Sequence, residues 1–149
     1  MRRKKSKKRG PVQAKRISYD GINFASGLER YMYMALKKAK LKFKYEGETF
    51  ELVNSFELIN ESIERQTNGK GEFKNRGNKK ILNIKYTPDF VGNDFIIECK
   101  GRANESFPMR WKLFKKWLTD NGDKRVLYKP QNQSECDKTV DIILQKRNK

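Results

Sequence analysis

The chain has 149 residues, with 35 Lys or Arg, 18 Asp or Glu and no His, for a net charge of +17 at pH 7. That length suits one domain able to bury a core, and the lack of imidazole excludes His-ligated zinc, His-metal nuclease sites and Ser-His triads. Two cysteines argue for a reduced, cytoplasmic protein rather than a disulfide scaffold, and no signal peptide or membrane span is expected.

Residues 1–16 contain Arg2, Arg3, Lys4, Lys5, Lys7, Lys8, Arg9, Lys15 and Arg16 and no acid, leaving +8 on the remaining 133 residues. Such a segment is expected to be unstructured in isolation. It reads as a phosphate-seeking arm that gains affinity by counterion release, against the plainer alternatives of a solubilising tail or a localisation signal. The sequence divides into a basic arm over residues 1–20 and a folded domain over residues 21–149, with a polar insertion at residues 54–80.

Residues 26–40 predict an amphipathic helix, since Leu28, Met32, Ala35, Leu36 and Ala39 share one face. Ser26 is placed to cap it, and Lys37, Lys38 and Lys40 suit its negative C-terminal end. Over residues 41–53, Phe43 and Tyr45, then Phe50 and Leu52, alternate as in a strand or a strand pair around Gly47. Residues 56–63 fit neither period. Residues 66–80, with three glycines, predict a flexible loop that either tracks a nucleic-acid backbone or is simply solvated.

Residues 81–91 are rich in β-formers and lead to the turn signal Gly92-Asn93. Phe95-Ile96-Ile97 then predicts a strand buried on both faces. Residues 107–118 predict a helix with Phe107, Trp111, Phe114, Trp117 and Leu118 on its apolar side. Its Arg110, Lys112 and Lys116 are either phosphate contacts or solvated cations. Asn121-Gly122 ends that helix, residues 125–128 supply another strand, and residues 134–146 close with a helix bearing Val140, Ile143 and Leu144. The order is α-β-β-β-α-β-α, an α/β fold with a mixed sheet flanked by helices.

The chemistry concentrates in Pro88-Asp89 and, eight residues on, Glu98-Cys99-Lys100. The hairpin brings two carboxylates and an ammonium to its facing ends, a cluster that is costly unless a cation sits among the acids. Alternation puts Glu98 and Lys100 on one face and turns Cys99 away. The plainer reading makes Asp89 a turn residue bonded to backbone and Glu98–Lys100 an ordinary ion pair. Glu29 lies three residues after Ser26, where it also fits a capping box.

Pro-Asp, a gap, then Glu-x-Lys resembles the signature of the PD-(D/E)xK nuclease superfamily. Ser26-Gly27-Leu28-Glu29 is similar to the "S-x-L-E" helix segment of that family. The strings Tyr86-Thr87-Pro88-Asp89-Phe90 and Ile97-Glu98-Cys99-Lys100-Gly101 resemble those of the phage endonuclease I group, which resolves Holliday junctions, and of related phage and prophage endonucleases. The likeness runs from about Phe24 to Trp117 and departs at residues 54–80, which are longer here.

The resemblance implies a restriction-endonuclease-like core and a Mg²⁺-dependent deoxyribonuclease, with Mn²⁺ able to substitute. Asp89, Glu98 and the backbone carbonyl of Cys99 would ligate one ion, and Glu29 would serve a second ion or a water between sites. Lys100 would orient the attacking water and offset charge on the phosphate. The implied substrate is branched DNA cut by a phage-type homodimer in the cytoplasm. A sequence-specific homing or restriction-type nuclease and a non-catalytic basic DNA-binding protein are the competing readings.

Overall fold

The computed structural model describes residues 17–104 and 106–149, so the nine cations of residues 1–16 lie outside the described residues. The described chain begins with a hairpin where the basic arm was expected to end. Strands β1 (Ile17–Tyr19) and β2 (Ile22–Phe24) pair antiparallel around Asp20-Gly21. Both turn residues have positive φ, 53° and 73°, as the Asp-Gly hairpin turn requires. Helix α1 (Gly27–Lys38) follows, with the Ser26 side chain accepting from the Glu29 amide and Lys37 and Lys38 in the last turn.

Strand β3 (Lys44–Tyr45) comes next. A ladder is then built from β4 (Phe50–Val53), β5 (Phe56–Leu58), β6 (Ile63–Glu64), β7 (Lys74–Asn75), β8 (Lys79–Ile81) and β9 (Ile84–Tyr86). The remaining elements are β10 (Phe90–Val91), β11 (Phe95–Ile97), α2 (Phe107–Asp120), β12 (Val126–Tyr128) and α3 (Gln133–Arg147).

The central sheet runs β12-β11-β10-β3, with β11 and β12 parallel and the other pairs antiparallel. It is a mixed α/β fold. Alternation along β10 and β11 feeds two separate cores. Phe90 and Ile97 join Met32 and Leu36 of α1 and Cys136 and Ile143 of α3. Val91 and Ile96 join Phe107, Trp111, Phe114 and Leu118 of α2, together with Phe50 and Tyr86. Phe95, Ile96 and Ile97 have no exposed surface, as their unbroken apolar run predicts, and each contributes roughly 1.5–3 kcal/mol by leaving water. At the β10–β11 turn, a Cβ on Gly92 would lie 2.5 Å from the Phe95 ring, so glycine is what lets the hairpin close there. Both cysteines are free and buried. Among the described residues no helix is long and apolar enough to cross a membrane.

Residues 66–80 are not the structureless loop that their glycines suggested. They carry β7 and β8, which pair back onto β6 and β5, and β9 pairs with β4 below them. The result is a two-stranded arm. Its outgoing strand is acidic and its returning strand basic, so the register sets Glu51 opposite Lys85, Glu57 opposite Lys80 and Glu64 opposite Lys74. Opposite charges on facing rungs stabilise such a ladder. Periodicity missed it because each strand is only two to four residues long. No residue between Glu51 and Lys85 is buried, and Phe56, Ile59, Ile63, Phe73, Leu82 and Ile84 stand exposed on it. Apart from Leu52 at its base, which packs against the α2 core, the arm adds nothing to either core. Replacing residues 54–83 by an Asn-Gly turn should shift the melting midpoint by less than about 5 °C, roughly 1 kcal/mol for a domain of this size. A larger fall in calorimetry would mean that the arm supports the fold.

Candidate functional site

The register of β10 and β11 builds the site. Phe90 pairs with Ile97 as the last rung of that ladder, so one further step sets Asp89 opposite Glu98. On its other edge, Asp89 is fixed by the Glu46 amide, which donates to its carbonyl at 2.8 Å. The Cys99 amide donates to Asp89 Oδ2 at 2.8 Å. Beyond β11 the chain stays tied to its neighbour, because the amides of Glu98 and Lys100 donate to the carbonyls of Tyr128 and Pro130 at 3.0 and 3.1 Å. Alternation then acts as expected: Cys99 packs into the α1–α3 core, and Lys100 Nζ lies 4.7 Å from the centre of the Phe107 ring at the start of α2.

Glu29 enters from the first turn of α1. The Ser26 hydroxyl accepts from the Glu29 amide at 3.2 Å and touches its Oε1 at 3.3 Å. The reciprocal bond to the Ser26 amide, which would complete a capping box, is not among the hydrogen bonds of the described residues. Instead Oε2 accepts from the Tyr45 hydroxyl at 2.6 Å. The cap thus engages the Glu29 amide, while its carboxylate accepts from both the Ser26 and the Tyr45 hydroxyls.

The three carboxylates are buried, with relative exposures of 7% for Glu29, 9% for Asp89 and 7% for Glu98. Burial, then the charges of Glu98 and Glu29, push Asp89 up to about 9. Burial also raises Glu98, although the Tyr86 hydroxyl and the Lys100 ammonium pull it back. Tyr86 donates to Glu98 Oε2 at 2.7 Å. Sequence reasoning missed both tyrosines as site residues. The available signal was parity: Tyr86 lies two residues before Pro88 on the rung opposite Phe50, and Tyr45 lies opposite Phe90.

Two clefts, one reaching Glu98 and the other Glu29, share Lys100 and Asn104 in their walls. One, of about 610 Å³, is lined by Lys85, Tyr86, Glu98, Lys100 and Arg110. The other, of about 1000 Å³, is lined by Glu29, Cys99, Lys100, Arg102 and Asn132. A third cavity, of about 860 Å³ at the Gly92 end of the sheet, contains Asp94 and Asp123. Those acids are already paired with Arg147 and Arg125, at 2.6 and 2.7 Å, so neither is a free carboxylate for a cation.

Of the cations expected to meet phosphate, Arg110 reaches the first cleft. Lys112 and Lys116 do not line it. At 100° per residue they fall on the side of α2 opposite Trp111 and Phe114, and Lys116 closes on Asp120 at 2.6 Å. The candidate contacts from Arg2 to Arg16 lie outside the described residues.

A hard divalent cation suits this donor set. Its donors are oxygens, no described donor occupies Asp89 Oδ1, Glu98 Oε1 or the Cys99 carbonyl, and a cation would relieve the charge that raises Asp89. Among the described residues, no three His, Cys, Asp or Glu side chains converge closely enough to hold an ion as they stand, so the acids would draw together on binding.

Residues 9–129 match the family described as protein of unknown function (DUF1064), and the chain belongs to that family. No curated protein matches the chain, and no solved structure matches it.

The raised Asp89 carboxyl has a consequence for stability. Between the ordinary carboxylate range and about pH 9, the folded chain holds a proton on Asp89 that the unfolded chain has released. Stability due to this group therefore falls as pH rises through that window. Asp89→Asn should melt higher than the parent protein in EDTA at pH 8, by about 5–10 °C or ~1–2 kcal/mol, with the gap closing toward pH 4. A variant that melts lower at pH 8 would contradict the buried charge.

Proposed function

We propose that the protein is a divalent-cation-dependent DNA endonuclease that hydrolyses phosphodiester bonds, selective for branched DNA such as Holliday junctions and active as a homodimer. The observation that carries the reading is the buried cluster of Glu29, Asp89 and Glu98 with Lys100 at its edge. Its residues are the ones that resemble the PD-(D/E)xK signature, and the finer reading of the fold as a restriction-endonuclease-like core goes with it. A non-catalytic DNA-binding protein has no need to bury three unpaired acids beside a surface meant for phosphate.

Asp89, Glu98 and the Cys99 carbonyl would hold Mg²⁺ or Mn²⁺, with Glu29 beside a second ion or an ordered water. When bound, the cation offsets charge on the scissile phosphate and makes a nearby water more acidic. The chain's own groups do the rest. Lys100 Nζ, seated on the Phe107 ring and close enough to pull Glu98 down, orients the attacking water and stabilises negative charge as it develops on phosphate oxygens. Lys85 and Arg110 on the cleft wall hold the flanking phosphates, contacts that position DNA without reading bases. Paired incision of a junction needs two such sites, hence the homodimer.

The test offers linear duplex, single strand, flap and four-way junction at one salt concentration. Symmetric nicking of the junction is expected with Mg²⁺ or Mn²⁺ and none in EDTA. Asp89→Ala or Glu98→Ala should lower cleavage by at least ~10²–10³-fold, the scale of removing one group that stabilises transition-state charge, while DNA binding persists. Cleavage in chelator, or full activity in either variant, would refute the mechanism. Deleting residues 1–16 should weaken binding to every DNA and flatten the log–log salt dependence by about 0.9 for each phosphate that the arm neutralises. An unchanged slope would show that those residues do not touch DNA.

A further inference from the structure

We propose that Tyr86 and Tyr45 are positioning residues, each clamping one oxygen of a carboxylate that lines a cleft, Glu98 and Glu29 respectively. The inference rests on the cation-dependent reading above and concerns how the protein prepares its acids. The acids share one pattern of restraint. Tyr45 Oη donates to Glu29 Oε2 at 2.6 Å, the Cys99 amide to Asp89 Oδ2 at 2.8 Å, and Tyr86 Oη to Glu98 Oε2 at 2.7 Å. Each carboxylate thus has one oxygen fixed by a donor from a neighbouring strand or loop. No described donor reaches Asp89 Oδ1 or Glu98 Oε1, and Glu29 Oε1 meets only the Ser26 hydroxyl at 3.3 Å.

The clamps are themselves rigid. Both rings are held on aromatic neighbours: Tyr86 lies 4.7 Å from Phe114 and 6.2 Å from Trp111 between ring centres. Tyr45 lies 4.9 Å from Phe24 and 5.4 Å from Phe90. One ring belongs to the α2 core, and the other packs against the α1–α3 core. Each core therefore sends one hydroxyl to the acids. A phenol is a neutral donor at ordinary pH. A neutral donor is suited to this place, because it steadies an ionised carboxylate without competing with a cation for it as an ammonium would. Fixing the carboxylates in advance also lowers the ordering cost of binding.

A merely structural hydroxyl would fill a buried hydrogen bond and do no more. The two roles separate when cation affinity and stability are measured on the same full-length variants. Tyr86→Phe, Tyr45→Phe and, for reference, Asp89→Asn are titrated with Mn²⁺ by calorimetry in the absence of DNA and melted in EDTA. Both tyrosine variants are expected to melt within about 5 °C of the parent protein and to bind Mn²⁺ roughly 10–100-fold more weakly, the usual loss on removing an outer support of a metal ligand. Cleavage should recover toward the parent rate at saturating Mn²⁺. Unchanged Mn²⁺ affinity in the tyrosine variants, with affinity lost in Asp89→Asn, would overturn the positioning role and leave the cation site standing. Parent-like affinity in Asp89→Asn as well would remove the cation site and the tyrosine roles together. Collapse of either tyrosine variant in EDTA would make its hydroxyl a support of the fold and also overturn the inference.

Discussion

Asp89 and Glu98 face each other one rung past the end of an antiparallel ladder, and Glu29 on α1 lies near enough for its charge to act on Asp89. Three acids with less than a tenth of their surface in water repel one another and lose hydration, which is why Asp89 resists ionisation. Folding toward a cluster of this kind costs stability, and the surrounding structure offsets it by hydrogen bonds and packing. The amide of Cys99 and two phenols satisfy one oxygen on each acid. The strain that remains is of the kind met at sites built for a ligand of opposite charge.

The architecture explains how so compact a site is held. Strands β10 and β11 are short, two and three residues, yet both faces of the hairpin are covered by helices and their side chains have no freedom to slip. A one-residue shift in register would exchange Phe90 and Val91 between the two cores and move Asp89 away from Glu98. Core packing and site geometry are thus enforced by the same few residues. The two-stranded arm between Phe50 and Tyr86 is different, because opposite charges face each other on its rungs and six of its large apolar side chains stand exposed.

Much of this was legible in the amino-acid order. The all-apolar run Phe95–Ile97, the Gly92-Asn93 turn and the Ser26 cap fix three elements with local chemistry, and all three stand where local chemistry put them. The packing of the Cys99 side chain into the α1–α3 core, away from Glu98 and Lys100, followed from alternation alone. What escaped was non-local or too short for a period. The Asp20-Gly21 hairpin joins strands of only three residues, and the arm's ladder depends on partners more than twenty residues apart in its middle rungs, such as Glu57 and Lys80. Tyr45 and Tyr86 read as ordinary strand aromatics, since nothing local indicates that their hydroxyls meet Glu29 and Glu98. Lys112 and Lys116 were grouped with Arg110 by composition, whereas helix phase separates them from the cleft.

The proposed chemistry depends on Asp89 and Glu98 closing on one divalent cation. Crystals of the full-length protein soaked in Mn²⁺, with anomalous diffraction collected at the manganese edge, put that to the most direct test. A peak bounded by the Asp89 and Glu98 carboxylates and the Cys99 carbonyl is the predicted result. Manganese bound elsewhere, with those carboxylates still apart, would contradict it.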